Sequence, residues 1–267
     1  VTNGAGDRDT AASASGSVDV AARSPRGAIA VVPSLNDFDA GEDGDVSHNL
    51  AGQRLGRKGR DTRERILLAA SRLLYCDPGN TPLSLSAVAR EASLGMTSLY
   101  NYFSDLTEVL LAILDPVMAS AEVVYLGALR ARWSDAELGE RADEFVSNYH
   151  AFWKKHSRLL HLRNAMSDQR NPRMTHQRIK STQPIIALLA EQMDGDPRAL
   201  RSPAFAMATV LMIGIERSTT ISTDDELPVK MAQDIQHDDT YFIHPCARLM
   251  EIAIRDVRET AALTCSG

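Results

Sequence analysis

From about residue 61 onward, apolar side chains recur at three- and four-residue intervals between short turn sequences, a period that predicts helices almost throughout. Ile66, Ala70, Leu73 and Leu74 share one face of a first helix, which "CDPGNTP" breaks after Tyr75. Asp61 and Glu64 have the spacing of a capping box, placing the helix start there or a few residues earlier. A second short helix follows Ser84 as N-cap and buries Val88, Ala89 and Ala92. The turn "SLG" (93–95) leads into a third, on which Leu99 and Phe103 share a face. Longer helices are predicted over 105–132, 136–156, 158–168, 171–193, 202–222 and 245–263. The stretch 222–245 is acidic and weakly patterned and reads as a loop. No segment has the alternation of a strand. The fold class expected is all-α, with about nine helices.

Charge changes this picture more than composition does. Hydrophobic residues make up 44% and charged residues 24% of the 267, ordinary values for a globular protein. The net charge of −6 argues superficially against a nucleic-acid partner. Residues 1–53, however, hold three basic residues against eight acids, a net of −5, in an Ala-, Gly-, Ser- and Asp-rich stretch without period. That composition predicts a disordered acidic tail, taken as 1–55. Directly after it, "RLGRKGRDTRER" (54–65) carries six basic residues against two acids. Such a change of sign points to a nucleic-acid contact, with a solvated linker as the rival reading.

Cys76, Cys246 and Cys265 have no metal or redox spacing, and their odd number fits a reduced cytoplasm. The opening "VTNGAGDRDTAASASG" lacks the basic-then-apolar order of a signal peptide. The run "FAMATVLMIGI" (205–215) is too short to span a bilayer. The expectation is a cytoplasmic protein with no membrane partner.

One segment concentrates chemistry. "GMTSLYNYFSD" (95–105) packs Tyr100, Tyr102 and Phe103 into four positions of a chain that is only 5% aromatic. Two short helices, a three-residue turn and a supporting helix make a helix-turn-helix. Through "TRERILLAASRLL", "SLSAVAREASLGMTSLYNYF" and "TEVLLAIL", residues 62–110 resemble the DNA-binding domain of TetR-type (tetracycline-repressor-type) transcriptional regulators. The family's turn usually reads Gly-Val-Ser, whereas Ser93-Leu94-Gly95 stands here. Leu106 stands where a basic residue commonly follows the aromatics.

The resemblance implies a DNA-binding domain over 56–108 and a ligand-binding and dimerisation domain over 109–267. A recognition helix puts its N-terminal side chains into the major groove while its far side packs on the domain. Leu99 and Phe103 suit the packing side, leaving Met96, Thr97, Ser98 and Asn101 for base edges. Tyr100 and Tyr102 are long enough to reach flanking phosphates, the alternative being core aromatics with wet tips. Arg57, Lys58 and Arg60 are placed for the backbone or the minor groove, and Ser84 and Ser86 for a phosphate at the start of the second helix.

The second half collects Phe145, Tyr149, Phe152 and Trp153 within a few turns, followed by Leu159, Leu162 and Met166. A ligand cavity needs such residues, and so does any helical core. Tyr149, Phe152, Trp153, Met166 and Met212 are the ligand-binding candidates. Glu216 reads either as a surface residue or as a polar anchor in the cavity; Arg163 and Asn164 share that ambiguity, with exposure the default. Leu249, Ile252, Ala253 and Val257 form a stripe on the last helix. In the family the last two helices of each chain form a four-helix dimer interface.

These features imply a homodimeric repressor on a palindromic double-stranded DNA operator, released by a small-molecule effector. No cofactor is implied. The motifs of nucleophile elbows, phosphate loops, dinucleotide sites and zinc hydrolases are missing, so an enzyme is not expected. His150, His156 and His161 lack the i,i+4 spacing of metal ligands and read as surface or pocket-edge histidines. A helical interaction module that no longer reads DNA is the alternative.

Overall fold

The computed structural model describes residues 55–76, 82–224 and 240–265. The acidic tail (but for Leu55) and most of the loop expected over 222–245 lie outside the described residues. Among the described residues the protein is all-α, with nine helices and no strand: α1 (Arg57–Tyr75), α2 (Leu85–Glu91), α3 (Met96–Tyr100), α4 (Leu106–Ala121), α5 (Leu138–Lys155), α6 (Ser157–Asp168), α7 (Pro172–Gln192), α8 (Pro203–Ser222) and α9 (Ile243–Cys265).

Helix α1 begins a turn before the expected capping box. Gly56 is its N-cap, without a side-chain bond, and Asp61 and Glu64 are exposed inside the helix. Arg57, Lys58 and Arg60 are good helix formers, so the basic run extends the helix and the box never forms. Ser84 caps α2 as its spacing predicts, its Oγ accepting from the Ala87 N–H at 3.2 Å. The end of α2 is a Schellman turn. The Leu94 N–H donates to the Ala89 carbonyl at 2.8 Å and the Ser93 N–H to the Arg90 carbonyl at 3.0 Å. Ser93 takes the left-handed position, φ 52°, that Gly normally fills. The same pair of bonds closes α6 at Arg170 and α7 at Asp194, also left-handed at φ 64° and 57°.

Gly95 then caps α3, and the helix carries Leu99 into the same core as Ile66, Ala70, Val88 and Phe103. Both Leu99 and Phe103 are fully buried, each contributing roughly 2–3 kcal/mol of apolar burial. Helix α4 carries the chain from this corner into the bundle, where α5 packs on α9, and α7 on α6 and α8. The helix expected over 105–132 is not uniform. Past Pro116 it loosens into a π turn (Glu122–Leu126) and tightens into a 3-10 turn (Gly127–Leu129). Arg130 clamps this irregular stretch from outside, Nε and NH2 donating to the two Glu122 carboxylate oxygens at 2.6 and 2.7 Å. By length and composition alone Leu106–Leu129 and Pro203–Ser222 would suffice to cross a membrane. The 205–215 run therefore understates these helices, both of which contribute buried residues to the bundle core.

Candidate functional site

Two regions concentrate the predicted site residues. The first is the outer surface of α3 and its flanks. Thr97, Ser98, Tyr100 and Asn101 are exposed, Tyr100 by 48%, while Leu99 between them has no exposure. Met96 and Tyr102 are half-buried against the core, so each offers only part of its side chain outward. Arg57, Lys58 and Arg60 are exposed on the first turn of α1, and Arg60 donates NH1 to the Leu55 carbonyl at 3.2 Å. Ser84 and Ser86 sit at the start of α2 with their hydroxyls 3.0 Å apart. The Arg63 guanidinium lies over the Phe103 ring, 5.2 Å from its centre.

Polar contacts fasten these helices to the rest. Where α5 meets α6, His156 Nδ1 and the Tyr75 hydroxyl form a 2.8 Å hydrogen bond, and Arg158 NH1 donates to the Leu73 carbonyl at 2.7 Å. Where α6 meets α7, Asn171 Nδ2 donates to Thr107 Oγ1 at 3.0 Å, and Arg173 pairs with Asp105. Asp105 also caps α4, its Oδ1 accepting from the Glu108 N–H at 2.9 Å.

The second region lies inside the bundle. Tyr125 on the π turn meets the rings of Tyr149 and Phe152 edge-on, at 5.2 and 5.3 Å between centres. Phe145 stacks on Tyr149, and Trp153 lies 6.2 Å from Tyr149. The Arg163 guanidinium covers the Trp153 ring at 5.5 Å. Tyr149, Phe152 and Trp153 are thus brought together. Met212 is buried one turn before Glu216 on α8, and Met166 is half-buried on α6.

Three polar residues correct the default of exposure. Arg163, Asn164 and Glu216 are all buried. Glu216 Oε1 accepts from Asn164 Nδ2 and from Arg178 Nε, both at 3.2 Å, and Arg163 NH2 stands 3.6 Å away. Glu216 follows Met212 by four residues, so the buried face of α8 carries it inward; its partners come from α6 and α7, and helical periodicity reports faces rather than partners. Burial lowers the Arg163 guanidinium, against the favourable fields of Tyr149 and Glu216. Burial, then the Glu216 charge, raises the Tyr149 phenol well above its ordinary range, which keeps it neutral. For Arg178 burial works against the charge, but the bond to Glu216 leaves it raised.

Of the histidines read as surface or pocket-edge residues, His150 and His156 are buried, whereas His161 is half-buried. His161 Nε2 lies 3.2 Å from Thr223 Oγ1, and His156 serves the α1 junction. Among the described residues no group of three or more His, Cys, Asp or Glu is placed to hold a metal.

Two further surfaces are open. A groove of about 380 Å³ runs between α7 and the start of α8, lined by Ile179, Lys180, Pro184, Leu200 and Phe205 among others, with none of the predicted ligand residues. On α8 and α9, Val210, Ile213, Leu249 and Ile252 are 66, 62, 56 and 48% exposed, whereas Ala253 is buried and Val257 half-buried. The chain matches no family model and no curated protein.

Proposed function

We propose that the chain is a TetR-type DNA-binding transcriptional regulator that binds a palindromic operator as a homodimer and is released by a small-molecule effector. The observation that carries this reading is the division of labour on α3. Leu99 is wholly inside while the hydroxyls of Thr97 and Ser98, the Tyr100 phenol and the Asn101 amide are exposed, beside a basic helix start. Outward hydroxyl and amide groups are what base edges and phosphates require. Residues 56–108 form the reading unit and 109–267 the effector and dimer unit.

The exposed apolar rows of α8 and α9 support a second copy at that face. Gly214 on α8 has open space where a Cβ would stand, which lets a partner helix approach closely. A two-fold dimer sets two recognition helices about one DNA turn, ~34 Å, apart. An effector that binds better when this spacing is lost weakens DNA binding by the factor that DNA weakens its own binding. A mobility-shift assay of the full chain on its own upstream DNA tests the reading. A sequence-specific shift at moderate salt is expected.

The second reading, an interaction module that no longer reads DNA, is favoured by α3 itself, which has five residues and none basic. Loss of the shift even at low salt, where phosphate contacts are strongest, would favour it.

A further inference from the structure

The buried network around Arg163 is incompletely compensated. Arg163 Nε donates to Asn164 Oδ1 at 3.0 Å and NH1 to Ser181 Oγ at 3.2 Å, both neutral acceptors. The carboxylate nearest its NH2 is Glu216, at 3.6 Å, beyond hydrogen-bond length. That same oxygen, Glu216 Oε1, is already bonded by Arg178 and Asn164. Asp168 offsets Arg178 rather than Arg163, through NH1 at 3.2 Å, from a position 74% exposed to solvent. A buried guanidinium held by neutral groups, with its counter-charge shared, is costly unless another charge-assisted bond completes it.

The chemistry around Arg163 is directional. One face of the guanidinium lies over Trp153, and the Tyr125 and Tyr149 phenols are close enough to interact with its charge. One turn before Ser181 on α7, Gln177 is buried and its Oε1 has no hydrogen-bond partner. Arg178, about a third exposed, carries the network outward to Asp168 at the surface between α6 and α7. The arrangement combines an aromatic wall, a planar two-pronged cation with unused capacity, an extra acceptor and a polar route from solvent.

We propose that Arg163 and the Trp153–Tyr149–Tyr125 wall form the binding site for a small aromatic carboxylate. Its carboxylate bonds Arg163, while Glu216 stays on Arg178. The ring lies against the aromatic wall beside Arg163, which itself covers one face of Trp153. A carboxylate suits the site better than a compact cation or a neutral amide, because the guanidinium fork matches its planar pair of oxygens. The proposal rests on the regulator reading only for its consequence, which makes this ligand the effector; binding itself does not depend on DNA.

Calorimetric titration of the full chain with benzoate, phenylacetate and 3-phenylpropanoate, each beside its carboxamide, tests the site. At least one carboxylate should bind saturably, its carboxamide at least about tenfold more weakly. Arg163→Gln should abolish the difference. Glu216→Gln keeps the side-chain shape but removes the shared counter-charge, so it should tighten carboxylate binding by about fivefold or more. A purely structural network predicts weaker or unchanged binding in that variant. If circular dichroism shows Glu216→Gln unfolded, Arg178→Gln replaces it: Glu216 then turns wholly to Arg163, and carboxylate binding should weaken several-fold.

No saturable carboxylate, equal binding of the carboxamide, or weaker or unchanged binding in folded Glu216→Gln overturns the proposal. A mobility shift without carboxylate binding sinks this site alone. Carboxylate binding without any sequence-specific shift sinks the regulator reading alone.

Discussion

Ser93 gives the sharpest test of the turn that aims α3. Its φ of 52° lies where an L-residue brings Cβ too near the following carbonyl, a cost of roughly 1–2 kcal/mol. Ser93→Gly removes that cost but adds backbone freedom to the unfolded chain, worth roughly 0.5–1 kcal/mol in the other direction. The two bonds of the turn come from backbone N–H groups and survive the change, and the Ser93 side chain is exposed. The two ranges differ by about 0–1.5 kcal/mol, so their midpoints give an expected net gain of about 0.75 kcal/mol. In a chain of this size that is a rise in Tm of about 1–3 °C. Melting followed by circular dichroism, at one protein concentration because association shifts Tm, reads it directly. Ser93→Ala should change Tm by less than Ser93→Gly does, since it keeps the Cβ. A Tm for Ser93→Gly at or below that of the parent would refute the strain argument.

Tyr100→Phe should weaken operator binding by about three- to tenfold at fixed salt, a lost phosphate hydrogen bond, without moving the melting curve; unchanged affinity in a titration removes Tyr100 from the interface. The double change Val210→Glu and Ile213→Glu puts like charges on the exposed row of α8 and should give monomers in sedimentation, with no effect expected if the dimer lies elsewhere. Asp194 accepts from Arg132 Nε and NH2 at 2.6 and 2.8 Å, and this pairing holds its carboxyl below the usual range. The folded carboxyl is the stronger acid, so its contribution is full above the unfolded value near 4 and is lost as pH falls through the folded one. Asp194→Asn should therefore cost about 0.5 kcal/mol at pH 7, discounted for solvent exposure, and nothing at low pH where both forms are neutral. A pH-independent difference in urea melts would contradict that.

Helix borders were legible wherever a turn residue and an apolar period agreed. Ser84, Gly95 and the break after Tyr75 fall where the pattern puts them. Ser93 stands where the resembled turn has Gly, and it takes the left-handed conformation that Gly would supply. Asp61 misled because capping-box spacing also occurs inside helices, and the preceding arginines and lysine continue the helix at little cost. Glu216, Arg163 and Asn164 escaped for a different reason. A charged residue on an inward face reads as an exception until its partner is known, and the partners lie 52 and 38 residues apart in sequence. The π turn at Tyr125 left no trace in the period, yet it carries the ring that joins the aromatic wall.

Helix α6 is fastened at its start to the end of α1 through His156 and Arg158, and the turn after it is fastened to the start of α4 through Asn171 and Arg173 at the head of α7. Between those moorings its middle carries Arg163 and Asn164. With twelve residues it is about 18 Å long, too short and stiff to bend appreciably. A push at its centre therefore has no slack to absorb it. In the proposed regulator, a ligand at that centre would tilt the rod and load its contacts with α1 and α4.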